Sequence, residues 1–261
     1  MSAWTVAGVQ LDIAWEDPAS SLVRAGAQVA AAAAAGARLV VLPEMFATGF
    51  SMNAEAMATH AEAIGGWLAE AARRHGLWLL AGLAVPGEIR PRNEARLVDP
   101  DGAVRATYHK VHPFSLAREH EHFEGGERLP TAEIEGVRVT PIVCYDLRFP
   151  ELFRAAAART DLFVVIANWP EARRAHWSTL LAARAIENQV WVLGVNRVGE
   201  GGGLRYTGDS ALHDPQGAAV ATRAAQVGLV LGSVDAAEVA AVRARFSFLA
   251  DRRPGVYAAL R

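Results

Sequence analysis

The sequence predicts an α/β fold in which mostly apolar strands are covered by helices. Strand-like runs alternate with helix-like runs, and strands such as residues 38–42 are nearly continuous in apolar residues, as expected for a sheet covered on both faces. A weak internal repeat is also present, because residues 6–12, a helix and residues 39–44 resemble residues 139–146, a helix and residues 162–168. The chain is therefore expected to contain two halves of similar design.

Apolar periodicity and turn residues divide the first half of the chain. Ser20 or Ser21 is expected to cap an alanine-rich helix that Gly36 ends. The predicted elements are, in order, a strand at 5–13, a helix at 22–35, a strand at 38–42, a loop at 46–58, a helix at 62–75, and a three-strand meander at 77–85, 95–98 and 103–109. The strand at 38–42 delivers Glu44 at its carboxyl end.

The second half continues the alternation of strands and helices. A polar segment at 112–128, dense in His and Glu, is expected to form a loop over the site, and residues 197–203 are interpreted as a further loop. The other predicted elements are a strand at 138–144, a helix at 149–159, a strand at 162–166, a helix at 175–189, strands at 190–196, 210–213, 218–222 and 228–234, and a closing helix at 236–244.

Length and charge limit the domain organisation and the class of partner. The 261 residues contain no recognisable linker, so one domain spanning residues 1–261 is expected. Lys and Arg number 26 against 28 Asp and Glu, a net charge of -2, which gives no electrostatic footprint for nucleic acid or an anionic membrane surface. The expected partner is therefore a small molecule.

The sequence also bears on localisation. No signal peptide is expected before the first strand, and the longest alanine-rich run, residues 29–37, is shorter than the roughly 20 apolar residues that a membrane span requires. The single cysteine, Cys144, cannot form an internal disulfide, which fits a reducing compartment. A cytoplasmic protein is expected.

Cys144 lies where a β-favouring apolar run stops and a helix-favouring run begins, with Pro150 as a first-turn proline. At a strand end in an α/β sheet, it would occupy the place where such folds bind ligands, and a nearby helix N-terminus would favour its thiolate. Such a cysteine can be a nucleophile, or it can be a small buried hydrophobic side chain. The other motifs of the chain distinguish the nucleophile from the buried hydrophobic side chain.

Two further charged residues follow strands. Glu44 follows Leu-Pro and Lys110 follows Tyr-His, and each alone is typical of a solvated charge. The segments LPEMF at 42–46, HKVH at 109–112 and CYDLRFPE at 144–151 resemble, in this order, the three signatures of the nitrilase superfamily of carbon–nitrogen hydrolases. The resemblance extends over nearly the whole chain.

The resemblance implies a fold, an assembly and a set of roles. The fold would be a four-layer αββα sandwich of mixed sheets with helices on the outer faces, and subunits would pair through their helices into a homodimer or a higher homo-oligomer. Cys144 would be the nucleophile, Glu44 the general base, and Lys110 the cation that stabilises the tetrahedral intermediate. No metal or organic cofactor would be required.

Amide hydrolysis explains why these residue types are needed. A carboxylate that accepts the thiol proton and an ammonium group that favours the anion would increase the reactive fraction of Cys144. Negative charge on the amide oxygen would be bound by Lys110 and by the backbone N–H of Tyr145. The superfamily often has a second glutamate near the lysine, and Glu119 matches it best by position, with Glu121 next.

Two other motifs have simpler interpretations. Closely spaced histidine pairs can bind zinc, and the candidates here are His109, His112, His120 and His122. Because the first pair belongs to the lysine signature, no metal site is expected. The glycine run at 201–203 lacks the strand-to-helix context of a phosphate loop and is expected to be a flexible turn.

The residues around the motifs narrow the expected substrate. The segment after Glu44 and the form Cys-Tyr-Asp-Leu-Arg resemble the omega-amidase branch of the superfamily, which hydrolyses the side-chain amides of 2-oxoglutaramate and 2-oxosuccinamate. Tyr145 and Asp146 count against a nitrile substrate. An arginine, planar and bidentate, would suit the distal carboxylate of such a substrate. The candidates are Arg148, Arg173 and Arg174, with Arg173 preferred because it follows a strand end on the same rim.

The sequence leaves open the roles of several further residues and several alternative functions. Phe114, Tyr145 and Trp169 could wall the pocket or simply pack in the core, and Asn168 is expected at a strand end equivalent to that of Glu44. The alternative functions are an amidase acting on N-carbamoyl amino acids or a deaminated peptide, a non-catalytic binding module, and a redox sensor that uses the lone cysteine.

Overall fold

The computed structural model describes residues 3–260; the ends of the predicted domain, residues 1, 2 and 261, lie outside this description. In chain order, the strands are β1 (Trp4–Gln10), β2 (Leu39–Val41), β3 (Trp78–Val85), β4 (Arg92–Val98), β5 (Val104–His109), β6 (Ala132–Ile134), β7 (Val137–Val143), β8 (Leu162–Ala167), β9 (Trp191–Asn196), β10 (Val198–Gly201), β11 (Leu204–Thr207), β12 (Ser210–His213), β13 (Ala219–Arg223) and β14 (Gly228–Val234).

These strands form two six-stranded mixed sheets and one separate hairpin. The first sheet has the order β14-β1-β2-β3-β4-β5, and the second has the order β13-β12-β9-β8-β7-β6. Each sheet has three parallel neighbours at its centre, β1-β2-β3 in the first and β7-β8-β9 in the second. β10 and β11 pair with each other as an antiparallel hairpin. The predicted meander of β3, β4 and β5 is confirmed.

Helices cover the outer face of each sheet. Their bounds are α1 (Pro18–Ala34), α2 (Ala54–Ala58), α3 (Ala61–His75), α4 (Glu119–His122), α5 (Pro150–Ala156), α6 (Arg174–Asn188), α7 (Ala236–Arg245) and α8 (Pro254–Ala259). The helices α1 and α3 pack on the first sheet, and α5 and α6 pack on the second. The predicted four-layer αββα sandwich is confirmed.

The core lies between the sheets and under the helices. Val6 of β1 belongs to the cluster shared with the second sheet, whereas its neighbour Ala7 packs toward α1 and α3. This alternation follows from the two-residue period of a strand. Strands such as β2 and β8 are buried on both faces, so every position is apolar. Each fully buried Val, Leu, Ile or Phe contributes about 1.5–3 kcal/mol of hydrophobic stabilisation.

The internal repeat predicted from the sequence has a structural counterpart. The unit β1-α1-β2 joins two parallel strands through a helix, and the unit β7-α5-β8 does the same in the other sheet. Both central pairs of strands therefore present their carboxyl ends to the same region. Glu44 follows β2 and Asn168 follows β8, as the repeat predicts.

Several boundaries differ from the sequence-based predictions. α1 begins at Pro18, and its cap is Asp17, whose Oδ1 accepts a 3.1 Å hydrogen bond from the backbone N–H of Ser20, so the prediction of Ser20 or Ser21 as the cap is wrong. Proline at the first helical position, which needs no N–H donor, explains the earlier start. The predicted loops at 46–58 and 112–128 contain the short helices α2 and α4, and α8 follows the helix predicted to be last.

The strands after β9 differ most from the prediction. The predicted loop at 197–203 is largely the hairpin of β10 and β11, and the strands predicted as one final group divide between the two sheets. β6 was also missed, because its three residues are too few to show alternation. Within residues 3–260, no helix combines the length and apolar character needed to cross a membrane.

Candidate active site

Four predicted site residues converge in one buried cluster. Glu44 follows β2, Lys110 follows β5 and Cys144 follows β7, while Glu119 opens the short helix α4. Glu44 and Glu119 are 0% exposed, Lys110 is 1% exposed and Cys144 is 9% exposed. Buried charges are rare unless they are paired, so the pairing of these groups is the central feature of the site.

The carboxylate of Glu44 is held from three sides. Its Oε1 accepts hydrogen bonds from Asn93 Nδ2 at 2.8 Å and from Lys110 Nζ at 3.1 Å. Its Oε2 accepts the backbone N–H of Asn168 at 2.8 Å. These donors fix the plane of the carboxylate beside Cys144.

Glu119 is the second glutamate of the site. Lys110 Nζ lies 2.8 Å from Glu119 Oε2 and 3.1 Å from Oε1, and the backbone N–H of Phe114 donates to Oε2 at 2.6 Å. Asn93 Nδ2 reaches Glu119 Oε1 at 3.0 Å as well as Glu44. Glu121 is exposed and pairs with Arg118 instead. Of the two candidate glutamates, Glu119 is therefore the one that contacts Lys110.

Burial and mutual charge set the protonation states. Burial alone would lower the pKa of Lys110, but the negative charges of Glu119 and Glu44 raise that pKa above its usual value, so the amine stays protonated. Burial raises the pKa of Glu119, with Lys110 acting against it and the charge of Glu44 adding to it. The lysine is therefore a fixed cation between two carboxyl groups.

The thiol of Cys144 is protonated in the resting site. Burial, followed by the negative charge of Glu44, raises the pKa of Cys144 well above its usual value, and Lys110 acts in the opposite direction. The expected effect of a helix N-terminus on the thiolate is not among the influences that set the direction of this shift. The helix that begins at Cys144 is a short 3-10 turn spanning Cys144–Arg148, and α5 starts only at Pro150. The short turn does not offset the burial.

Cys144 also has an unusual backbone conformation. Its φ angle is +48°, in the left-handed region that β-carbon-bearing residues rarely adopt. Such strain costs on the order of 1–3 kcal/mol and is found where a site requires a particular side-chain direction. The sharp turn from β7 into the 3-10 helix lets Cys144 lie at the cavity rather than continue the sheet.

Asp146 links the cysteine segment to the lysine segment. It is fully buried and accepts hydrogen bonds from Tyr108 Oη at 2.7 Å and from the backbone N–H of His112 at 2.9 Å. The Nδ1 atom of His112 lies a further 2.7 Å from the same carboxylate. Tyr108 and His112 flank Lys110, so this network fixes Lys110 relative to Cys144.

A cavity of about 320 Å³ opens beside Cys144. Its lining contains all six residues predicted to bind substrate, namely Phe114, Tyr145, Arg148, Asn168, Trp169 and Arg173. Ring contacts connect them: the centroids of Phe114 and Tyr145 are 4.8 Å apart, and the guanidinium of Arg173 lies 5.4 Å from the Phe114 centroid. These aromatic residues therefore form a pocket wall.

Two of the three candidate arginines face the cavity. Arg148 and Arg173 are the charged side chains in the described lining, which contains no acidic residue. Neither makes an ion pair with a carboxylate in the described part of the chain. Arg174 lies outside the cavity lining and pairs with Asp209 at 2.7 Å. The described lining therefore carries two positive charges without a carboxylate partner, an arrangement suited to an anionic group.

Sequence reasoning missed part of the cavity wall. The lining also includes Trp15, Phe50 and Tyr206, and the β10–β11 hairpin contributes through Gly201 and Gly202. A β-carbon on Gly202 would lie 2.6 Å from the ring of Trp15, so only glycine permits this close packing. The glycine run at 201–203 is the sequence signal for this part of the wall, and it lies at the turn of the hairpin rather than in an irregular loop.

The histidines occupy separate environments. His109 Nε2 lies 2.9 Å from Glu94, His112 belongs to the Asp146 network, and His120 is exposed. Across residues 3–260, no cluster of three or more His, Cys, Asp or Glu side chains has the arrangement of a metal site.

The αββα sandwich and its buried glutamate, lysine and cysteine have the form expected of the nitrilase superfamily, and comparison with known proteins agrees. A family model described as carbon-nitrogen hydrolase matches residues 5–244. The omega-amidase YafV of Escherichia coli (strain K12) is 42% identical over 188 residues, which is 72% of this chain and 73% of that protein. The 2-oxoglutaramate amidase of Bacillus subtilis (strain 168) is 31% identical over 258 residues, covering 97% and 99% of the two chains.

A solved structure supports the same conclusion. XC1258 from Xanthomonas campestris, a CN-hydrolase superfamily protein with an arsenic adduct in its active site, superposes with a TM-score of 0.90 at 36% identity, covering 97% of this chain and 98% of that one. This chain belongs to the carbon-nitrogen hydrolase family. It is an enzyme that hydrolyses carbon–nitrogen bonds of amides.

Proposed function

We propose that the enzyme is an omega-amidase that hydrolyses the terminal amide of 2-oxoglutaramate or 2-oxosuccinamate to the dicarboxylate and ammonia. The observation that carries this proposal is the cavity beside Cys144, in which Arg148 and Arg173 are the charged groups of the described lining. A short substrate with an amide at one end and a carboxylate at the other fits this distribution of charge. The similarity to the omega-amidase of E. coli and the 2-oxoglutaramate amidase of B. subtilis supports the same substrate class.

The first half of the proposed reaction forms a thioester. Glu44 takes the proton from the Cys144 thiol as Sγ attacks the amide carbon, which gives a tetrahedral intermediate with negative charge on oxygen. Because the resting thiol is protonated, this transfer has to accompany the attack. Glu44 then donates the proton to the amide nitrogen, the carbon–nitrogen bond breaks, and ammonia leaves.

The second half of the proposed reaction releases the acid. Water attacks the thioester carbon while Glu44 accepts one of its protons, and collapse of the second tetrahedral intermediate breaks the carbon–sulfur bond. The Cys144 sulfur regains the proton from Glu44. The dicarboxylate leaves and the enzyme returns to its starting state, with no metal or cofactor in either half.

Two donors are proposed to stabilise the charged oxygen in both halves. The ammonium group of Lys110 stays protonated between its carboxylates, and the backbone N–H of Tyr145 lies in the first turn of a 3-10 helix, where N–H groups have no partner within the helix. A donor of this kind is typically worth roughly 3–4 kcal/mol of transition-state stabilisation. Glu119 is proposed to hold Lys110 in position and to orient the attacking water.

The direct test is ammonia release from purified enzyme incubated with 2-oxoglutaramate. Wild type should release ammonia, and Cys144→Ala should release none above background. The wild-type enzyme could instead be inactive on this amide but active on an N-carbamoyl amino acid or a deaminated peptide. That compound would then replace 2-oxoglutaramate as the proposed substrate. Those substrates run in parallel as controls, because their carboxylates could also bind the two arginines.

The domain organisation, the assembly and the location of the enzyme are part of the same proposal. One domain is supported by an apolar cluster that contains residues of both sheets. Homo-oligomer formation, a homodimer or larger, is supported by exposed apolar side chains on α6 and near the C-terminus, including Ile186, Phe246, Phe248 and Tyr257. Size-exclusion chromatography with light scattering tests the assembly.

A cytoplasmic location is proposed because the lone cysteine requires reduced conditions for activity.

A further inference from the structure

Tyr206 carries a hydroxyl group at the cavity wall that no other described residue uses. The residue is 4% exposed and lines the cavity beside Cys144. Its Oη atom forms no hydrogen bond within residues 3–260, and it is not among the unpartnered side-chain atoms that are sealed from solvent. The hydroxyl is therefore accessible. Because nearly all of the residue is buried, the space that the hydroxyl can reach is the cavity.

The hairpin and a buried cation hold the ring of Tyr206. Tyr206 lies on β11, and the guanidinium carbon of Arg197 is 4.6 Å from its ring centroid. Arg197 is itself fully buried, and its Nη2 donates to the backbone carbonyls of Ile13 and Glu200 at 2.9 Å. A ring packed on a cation that is fixed in this way keeps its hydroxyl in one place.

The hydroxyl of Tyr206 is a donor at neutral pH. Burial raises the pKa of Tyr206 to about 12, although Arg197 acts against this rise. Cys144 and Glu44 contribute to the raised pKa, and Arg173 opposes it, so the hydroxyl lies within electrostatic range of both the nucleophile and a cavity arginine. The phenol keeps its proton and can donate to a carbonyl oxygen.

The proposed substrate has one acceptor that the arginines and the catalytic groups leave without a donor. Its amide is assigned to Cys144 and Lys110 and its carboxylate to the arginines, so the 2-oxo carbonyl between them needs a neutral donor. Trp15 and Tyr145 carry the other unpartnered ring donors of the described lining, and both are only half-buried. The donor of Tyr206 is more deeply buried and has less water to pair with, so a ligand acceptor stabilises it more.

We propose that Tyr206 Oη donates a hydrogen bond to the 2-oxo oxygen of the substrate, and that Tyr206 thereby selects 2-oxo amides over amides of the same length without the ketone. This inference rests on the proposed function and deepens it. The substrate would lie with its amide at Cys144, its ketone at Tyr206 and its carboxylate at the arginines. Tyr206 is thus a specificity-determining residue that does not contact the reacting carbon.

Two substrates test the inference on one variant. Glutaramate is the control substrate, because it has –CH2– in place of the 2-oxo group of 2-oxoglutaramate and keeps both ends. Tyr206→Phe should lower kcat/KM for 2-oxoglutaramate about 10-fold, chiefly through KM, because one hydrogen bond to the substrate is lost. For glutaramate, kcat/KM should stay within about twofold, which also shows that the variant is folded. Tyr257→Phe, at an exposed tyrosine outside the described lining, should leave both values unchanged.

The outcomes separate the two proposals. If wild type does not hydrolyse 2-oxoglutaramate, the proposed substrate fails and the inference fails with it. If wild type hydrolyses it but Tyr206→Phe lowers kcat/KM for both amides by the same factor, or for neither, the inference alone is overturned. Loss of the preference for the ketone in Tyr145→Phe but not in Tyr206→Phe also overturns it.

A binding measurement gives the same comparison without the chemical step. If glutaramate is turned over too slowly to measure, calorimetry in the Cys144→Ala background compares the Kd of the two amides with and without Tyr206→Phe. The preference for 2-oxoglutaramate should again fall about 10-fold, and an unchanged preference would overturn the inference. Tyr206→Leu is the second variant should Tyr206→Phe not fold, with folding checked by circular dichroism.

Discussion

The backbone N–H of Asn168 donates a 2.8 Å hydrogen bond to Oε2 of Glu44 and thereby joins the two halves of the sandwich at the site. Glu44 follows β2 of the first sheet and Asn168 follows β8 of the second. The proposed base is therefore held by both sheets, and changes that disturb either strand end should alter catalysis more than they alter the fold.

Gly82 packs directly against the backbone of Glu44. A β-carbon on Gly82 would lie 2.6 Å from Glu44 Cα and 2.7 Å from the backbone nitrogen of Met45. Gly82→Ala should therefore displace Glu44 and lower kcat roughly 10- to 100-fold, since small misplacements of catalytic groups have effects of that size. Steady-state kinetics measures the change.

The matched control for that variant is Gly66→Ala. Gly66 lies on the exposed face of α3, and a β-carbon there meets no atom within 4 Å. Activity should stay within about twofold, and the free energy of unfolding should rise by up to about 1 kcal/mol because alanine favours the helix. Equal losses of kcat in the two variants would refute the specific role of Gly82.

Glu119 should matter for turnover and Glu121 should not. Glu119→Gln keeps the shape but removes the carboxylate that lies 2.8 Å from Lys110, so kcat should fall by about 100-fold. Glu121→Gln removes exposed surface contacts with Arg118 and His120 and should leave kcat nearly unchanged. Reversed effects would mean that the second glutamate of the site has been misassigned.

The arginines should distinguish charged from neutral amides. Arg173→Ala should raise KM for 2-oxoglutaramate roughly 10- to 100-fold, because a charge-assisted hydrogen bond is worth about 1.5–3 kcal/mol. KM for a neutral amide of the same length should change little, and Arg148→Ala should show the same trend. Arg174→Ala, on a residue already paired with Asp209, is the control. Equal effects of Arg173→Ala on charged and neutral amides would reject the carboxylate contact.

The titration of Cys144 should respond to its two charged neighbours in opposite directions. Its raised pKa means that the thiol keeps its proton as the pH passes the ordinary value of about 8.5. Glu44→Gln removes a negative charge and should shift the midpoint to lower pH, whereas Lys110→Met removes a positive charge and should shift it to higher pH. Ultraviolet absorbance of the thiolate, with Cys144→Ala subtracted, measures this. A wild-type midpoint at or below the ordinary value would contradict the account.

The sequence predicted what depends on local pattern. Buried strands such as β2 and β8 are continuous apolar runs, and the strand ends that carry Glu44 and Asn168 follow them. The predicted lining residues are likewise in the cavity wall.

What the sequence missed depends on packing between distant segments. Tyr206 lies on a four-residue strand with polar neighbours, so its sequence gives no sign of a cavity position. In the folded chain its ring centroid lies 4.6 Å from the guanidinium carbon of Arg197, and its side chain lines the cavity. Trp15 reaches the wall because glycines of the hairpin leave room for it. The raised pKa of Cys144 was missed for the same reason, since burial is a tertiary property.

The central claim is that Cys144 attacks the amide carbon and carries the acyl group. Wild-type enzyme turning over 2-oxoglutaramate, quenched in acid and digested, should yield a Cys144 peptide heavier by the substrate mass minus ammonia. Cys144→Ala should yield no adduct and no ammonia. An adduct on another residue, or ammonia release by Cys144→Ala at the wild-type rate, would contradict the claim.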